Sequence, residues 1–290
     1  MCPRQCGAVR TEGKKGICGC SDELKVARAA LHMWEEPCIS GEKGSGAVFF
    51  SGCPLHCIFC QNRAISDGVA GKVISEERLS RIFLELQEKG AANINLVTAG
   101  QYADKVCRAV VNAKAQGLDL PIIVNSGGYE SEEAVKLLGE VADVWLPDMK
   151  YLYPETAENF SHAKDYPDVA KRTIANMVSK TGEVVFDENG YIRKGVIVRH
   201  LVLPGHVQES MEIVEYLYRT YGDSIYLSIM NQYTPPSEPL LYRELNRKLT
   251  TYEYDKVVDF ALSLGVTNAY IQERGTAKES FIPAFDCEGV

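Results

Sequence analysis

No apolar stretch of this chain approaches the roughly twenty residues that a membrane-spanning helix needs, and the amino-terminal residues lack an apolar signal core. The expectation is a soluble, cytoplasmic protein with no membrane partner. Basic residues are in deficit as well. Lysine and arginine number 31 against 39 acidic residues, for a formal net charge of −8 and a pI near 5.3. A non-specific nucleic-acid binder would present a basic face, so no nucleic-acid partner is expected. Internal repeats and low-complexity tracts are absent, and no coiled-coil stripe declares an oligomer.

What the chain does hold, in 290 residues of which 46% are hydrophobic, is enough apolar material for one large core or two modest ones. It also holds ten cysteines. In a cytosolic setting these read as metal ligands or reactive thiols rather than disulfides. They are unevenly spread: five lie within the first 38 residues, three follow at Cys53, Cys57 and Cys60, and only Cys107 and Cys287 come later. Cys107 falls on an apolar helical stripe and reads as core.

Cys53, Cys57 and Cys60 form C-x3-C-x2-C in a loop just after the apolar run ending at Phe50. Ferredoxin and zinc patterns supply four ligands. Here the local motif supplies three, so a cubane iron–sulfur cluster bound by it would keep one iron open to a substrate or cofactor. The competing reading is a zinc knuckle or three buried free thiols, but x3 followed by x2 is not a usual zinc spacing. His56, inside the loop, reads as a solvent-facing residue rather than a ligand.

From Gly46 onward apolar runs alternate with amphipathic helical patterns. Strands are predicted at Ala47–Phe50, Ile94–Val97, Pro121–Val124, Val144–Leu146, Val196–Val202 and Ile225–Ile229. The helical segments between them include one capped by Ser75 and burying Leu79, Ile82, Phe83 and Leu86. Another carries Ala103, Val106, Cys107, Val110 and Val111, and a third starts at Ser131. Further helices are predicted over Val169–Val178, Met211–Tyr221 and Tyr254–Leu264, the last with Tyr254, Val257, Val258, Ala261 and Leu262 on one stripe. Six strand–helix units imply parallel strands with right-handed crossovers. They are too few for an eight-stranded barrel, so the α/β fold expected is an open, partial (β/α)6 TIM-like barrel. Residues 1–45 read as a Cys-rich extension, 46–270 as the barrel and 271–290 as a tail. Glu183–Lys194 reads as an inserted β-hairpin with Asp187–Gly190 at its tip.

The cysteine loop resembles the radical SAM superfamily, whose core fold is this partial barrel. That resemblance implies a 4Fe–4S cluster on Cys53, Cys57 and Cys60 and S-adenosylmethionine (SAM) chelating the open iron. It implies reductive SAM cleavage to a 5′-deoxyadenosyl radical, in an oxygen-sensitive enzyme needing an electron donor such as flavodoxin or ferredoxin. Phe59 takes the aromatic place where the family lines the adenine. Within the superfamily the chain is most similar to the glycyl-radical activating branch, with pyruvate formate-lyase activating enzyme as example, and to an incompletely characterised sister group. The similarity runs from Glu35-Glu36-Pro37 to Gly205 and from Asn231 to Glu273.

In that branch a Gly-Gly-Glu segment holds the methionine amino group; here Ala99-Gly100-Gln101 stands instead, keeping Gly100 but not the carboxylate, which leaves backbone carbonyls, Thr98 or the Gln101 amide for the task. Asn125-Ser126 and Asp148-Met149-Lys150 resemble segments that bind a monovalent cation beside the methionine carboxylate, with the lysine in the pocket. Arg199 matches an arginine that approaches SAM; a guanidinium inside a barrel needs a carboxylate, which SAM or Asp148 could supply. His200 alternates to the other side of the strand and reads as structural. The implied substrate is a glycine of a partner glycyl-radical enzyme, with direct modification of a small molecule or peptide as the alternative.

Cys2, Cys6, Cys18 and Cys20 give C-x3-C-x11-C-x-C, able to hold zinc or a second iron–sulfur cluster, or to remain free thiols. A fourth ligand could also come from Cys38 or Cys287. A rival from another class is a non-catalytic iron–sulfur electron carrier or metal-binding scaffold. It asks for four ligands per cluster and no SAM pocket.

Overall fold

A computed structural model of the chain describes residues 2–272 and 283–290. Its strands are β1 (Lys25–His32), β2 (Ser45–Phe50), β3 (Lys72–Val73), β4 (Ile94–Val97), β5 (Ile122–Ser126), β6 (Val144–Pro147), β7 (Val185–Phe186), β8 (Ile192–Leu201), β9 (Tyr226–Met230) and β10 (Ala269–Ile271). The α-helices are α1 (Pro37–Ser40), α2 (Arg63–Ser66), α3 (Glu76–Glu88), α4 (Ala103–Ala115), α5 (Glu132–Leu138), α6 (Pro154–Ser161), α7 (Tyr166–Thr181), α8 (Val207–Tyr221) and α9 (Thr251–Ser263).

One sheet runs in the order β10-β9-β8-β6-β5-β4-β2-β1-β3. From β2 to β10 every pairing on that path is parallel, as helical crossovers require. The six expected strands are all present, and β10 adds a short seventh beyond them. Strands β4, β5 and β6 are buried at every residue, which is why they read as continuous apolar runs rather than alternating ones. The path is open, with β10 at one end and β3 at the other. The hairpin is also present: β7 pairs antiparallel with β8, Val185 opposite Lys194.

Helices cover the outer face. Ser75 and Ser131 cap α3 and α5 by accepting the N–H groups of Arg78 and Ala134. Two stripe residues fall outside expectation: Val111 and Leu262 are exposed. The buried arc of α4 runs through Val106, Ala109, Val110 and Ala113 instead, one helical step away from Val111.

Residues 1–45 hold more order than their composition suggested. Within them β1 pairs antiparallel with β2 across residues 26–32 and with β3 at Lys25 and Val26. Its alanines carry little strand signal, so pairing rather than propensity makes the strand. Beyond β3, residues 287–288 continue along β1: Ala29 N–H donates to Glu288 O at 2.8 Å and Cys287 N–H to Ala27 O at 3.0 Å. Of the predicted tail, 273–282 lie outside the described residues, Phe281 and Ile282 included.

Period two along the strands sorts the barrel's interior into layers. Ile123, Val144, Leu146 and Ile197 form a buried apolar cluster with Cys38 and Ile39 of α1. The next inward positions toward the strand ends are Asn125, Asp148 and Arg199. Polar chemistry therefore begins where the apolar floor stops, at the carboxyl ends of the strands, where (β/α) barrels carry their sites.

Candidate active site

Cys53, Cys57 and Cys60 line one cavity of about 260 Å³ together with Phe59, Thr98, Asn125, Ser126, Asp148, Lys150 and Arg199. Ten of the sequence-derived positions thus meet in one place. Gly100 does not; it lines a second cavity with Cys2, Cys6 and Cys18.

The cysteine loop is clamped from several directions. Gln101, standing where a carboxylate was looked for, donates its amide to Ser51 O at 3.2 Å and Gly52 O at 2.9 Å. Both ring nitrogens of His56 are engaged, Nδ1 with Asp67 at 3.2 Å and Nε2 with Ile17 O at 2.6 Å, in keeping with a positional role. Gln61 ties the loop to Gln232 O beyond β9. Ser161 Oγ donates to Cys57 Sγ at 3.0 Å and is itself 2.7 Å from the Tyr151 hydroxyl.

Burial pushes the Cys53 thiol up to about 12 and the Cys60 thiol up to about 11, and neighbouring Cys57 adds to both. Cys53 and Cys60 thus resist ionising until a cationic centre compensates them. Among the described residues no three cysteine, histidine or acidic side chains converge tightly enough for a single metal ion. A donor set of three thiols spaced around a cavity fits a polynuclear iron–sulfur cluster better than mononuclear zinc.

Opposite the thiols lies a charge web. Arg199 Nε donates to Asp148 at 3.0 Å, one of its terminal nitrogens to Asn125 Oδ1 at 2.6 Å and the other to Glu35 at 3.3 Å. Glu35 also accepts from Asn95 at 3.0 Å. Lys150 pairs with Asp148 from the cavity side. Burial alone would raise the Asp148 carboxyl, yet Lys150 and Arg199 together hold it below its ordinary value. Glu35 and Glu36 go the other way, burial outweighing Arg199, and Glu36 keeps one buried oxygen without a hydrogen-bond partner. Glu35, which lines the cavity, is the residue that sequence reading passed over as part of the site; adjacent acids ahead of a proline, before the first barrel strand, are the signal that was there. Thr98, at the end of β4, has φ of 60°. A β-branched residue there is strained, and such strain gathers at sites. His200 points away, its Nδ1 2.7 Å from Met149 O.

Phe59 is buried and meets Tyr233 and Phe160 edge-on, with centroids 5.9 and 6.3 Å apart. Its position gives the cavity an apolar wall beside the polar one.

Residues 47–217 match the family model of the radical SAM superfamily. An uncharacterized protein of Methanocaldococcus jannaschii is 28% identical over 269 residues, which is 90% of this chain and 73% of that protein. Among solved structures, Streptococcus suis SuiB bound to S-adenosylmethionine aligns with a TM-score of 0.52 at 11% identity, over 75% of this chain and 47% of that one. This chain thus spans about half the length of SuiB. A domain of pyruvate-formate lyase-activating enzyme from Bacteroides vulgatus aligns with a TM-score of 0.45 at 10% identity, over 63% of this chain and all of that domain.

Proposed function

Because the chain belongs to the radical SAM superfamily, we propose that Cys53, Cys57 and Cys60 hold a 4Fe–4S cluster and that SAM binds beside it. The protein is then an activating-enzyme-like catalyst of hydrogen abstraction. The observation that carries this reading is that three thiols, with no fourth among the described residues, share one cavity with a polar layer of strand-end residues. Held by Cys53, Cys57 and Cys60, such a cluster would supply the one-electron reduction by which SAM is cleaved.

The chain's own residues bind and orient. Phe59 and Tyr233 offer an apolar wall to a purine. Lys150, a cation at the cavity's edge with three N–H donors, suits a carboxylate. Arg199 is spent on Asp148, Asn125 and Glu35, so its role is to fix the floor beneath the ligand. Positive charge that a monovalent cation would bring beside Asp148 comes here from Lys150 and Arg199.

The electron donor is of the flavodoxin or ferredoxin class, and the substrate is a glycine of a partner enzyme, as the activating branch implies. A second reading, direct modification of a small molecule or peptide, draws support from Gln101: its amide is committed to the cysteine loop rather than to the cavity, a departure from that branch.

Anaerobic reconstitution with iron and sulfide, then SAM and dithionite, tests the reading. The expected result is 5′-deoxyadenosine well above a Cys57→Ala control. A full cluster that yields none, and whose EPR signal SAM does not perturb, would indicate an electron carrier instead. A glycyl-radical EPR doublet on an added partner would decide between the two substrates.

A further inference from the structure

The amino-terminal cysteines converge on a place of their own. Cys2, Cys6 and Cys18 line the second cavity with Arg10, Gly100 and Glu130. Cys6 and Cys18 flank Gly16: a side chain there would begin 3.3 Å from one sulfur and 3.5 Å from the other. The space between the two sulfurs is kept open by the one residue that has no Cβ. Glu130 enters from the opposite wall, its Oε2 standing 1.8 Å from where a Gly100 Cβ would be. Its side chain is partly exposed to that cavity.

Cys20 turns toward the first cysteine loop: its Sγ donates to Ser51 O at 2.9 Å and presses on Gly52, where an added Cβ would lie 1.9 Å away, while its thiol also meets that of Cys18. Cys38 belongs to the barrel floor, and Cys287 is fastened to β1. Neither can complete a set with Cys2, Cys6 and Cys18.

The segment is not a loose arm. Arg4 Nε donates to Pro54 O at 2.7 Å and another of its nitrogens to Ser161 O at 2.7 Å. Arg10 donates to Ser21 O at 3.0 Å and to Gln101 O at 2.7 Å. Pre-ordering of this kind is what a metal site needs, and the Arg10 guanidinium lies close enough to Cys18 to offset thiolate charge.

We propose that Cys2, Cys6 and Cys18 hold a second iron–sulfur cluster, with Glu130 at the remaining coordination position. The inference stands apart from the catalytic reading, since it concerns metal content rather than reaction.

Metal and acid-labile sulfide analysis of the full chain, reconstituted anaerobically, tests it. The expected wild-type content is about eight iron and eight sulfide per chain. The triple variant C53A/C57A/C60A should keep about four of each, and Cys18→Ala should lose about four. Glu130→Gln should keep the iron but change the EPR spectrum of the centre that survives in the triple variant. Wild type with about four iron, all lost in the triple variant, overturns the proposal. So does one zinc per chain that Cys18→Ala removes. If the triple variant keeps iron while the wild type cleaves no SAM, the second site stands and the catalytic reading falls.

Discussion

Arg199 and Asp148 sit side by side at the ends of neighbouring parallel strands, joined by a β-bridge and by a 3.0 Å bond from Nε to Oδ1. The pair is enclosed by Glu35, Asn125 and Lys150. Removing one member leaves the others charged and desolvated.

Arg199→Met should therefore cost about 3–5 kcal/mol, the usual penalty for breaking a buried ion pair from one side. Urea unfolding measures it. The double variant R199M/D148N should lose less than the sum of the two single variants; strict additivity would contradict the coupling.

Ser161 supplies the hydroxyl that reaches Cys57 Sγ. Hydrogen bonds to a cluster's thiolates favour its reduced, more negative state. Ser161→Ala should lower the reduction potential by about 50 mV, the one-electron equivalent of a hydrogen bond of about 1 kcal/mol. An EPR-monitored redox titration reads the shift, and an unchanged potential would remove Ser161 from the list of tuning groups.

Gly52 has φ of 89°, and a Cβ there would collide with Cys20 Sγ and lie 2.6 Å from Cys18 O. Gly90 has a similar φ of 83° but open space around it. Gly90→Ala should cost about 1 kcal/mol, the left-handed penalty alone; Gly52→Ala should cost at least about twice that. Equal losses would mean that the amino-terminal segment yields freely.

Glu253 closes the capping box of α9 with Thr250 and pairs with Arg247 at 2.7 Å. The Arg247 hydrogen bond, first among several, holds its carboxyl well below the ordinary range. Its contribution is full above the unfolded-state pKa of about 4.3 and is lost as pH falls through the folded value. Arg247 is half exposed, so Glu253→Gln should cost only about 1 kcal/mol at pH 7. The gap between variant and wild type should close on acidification; a gap that widens below pH 4 would reverse the sign argued here.

Much of this was legible in the residues. Continuous apolar runs marked the parallel strands because both their faces are covered, and the thiol spacing marked the loop because ligands close in sequence leave a local trace. What escaped depends on distant pairing. Strand β1 is made by β2, not by its own alanines. Glu35 gains its meaning only when folding carries it to Arg199. Gly100 was assigned to the first cavity by analogy with a glycine pair, yet the turn after β4 faces it toward Glu130, where a side chain would not fit. Asn125, looked for as part of a cation-binding segment, serves as an acceptor for Arg199.

The residues fastened along β1 have a consequence for how this protein meets others. A strand at the rim of a sheet ordinarily offers unpaired amides and carbonyls to any extended peptide or second copy. Here β3 takes the first rungs and residues 287–288 the next. An incoming strand finds that register occupied by the chain itself, so the sheet cannot be lengthened along that stretch of its rim.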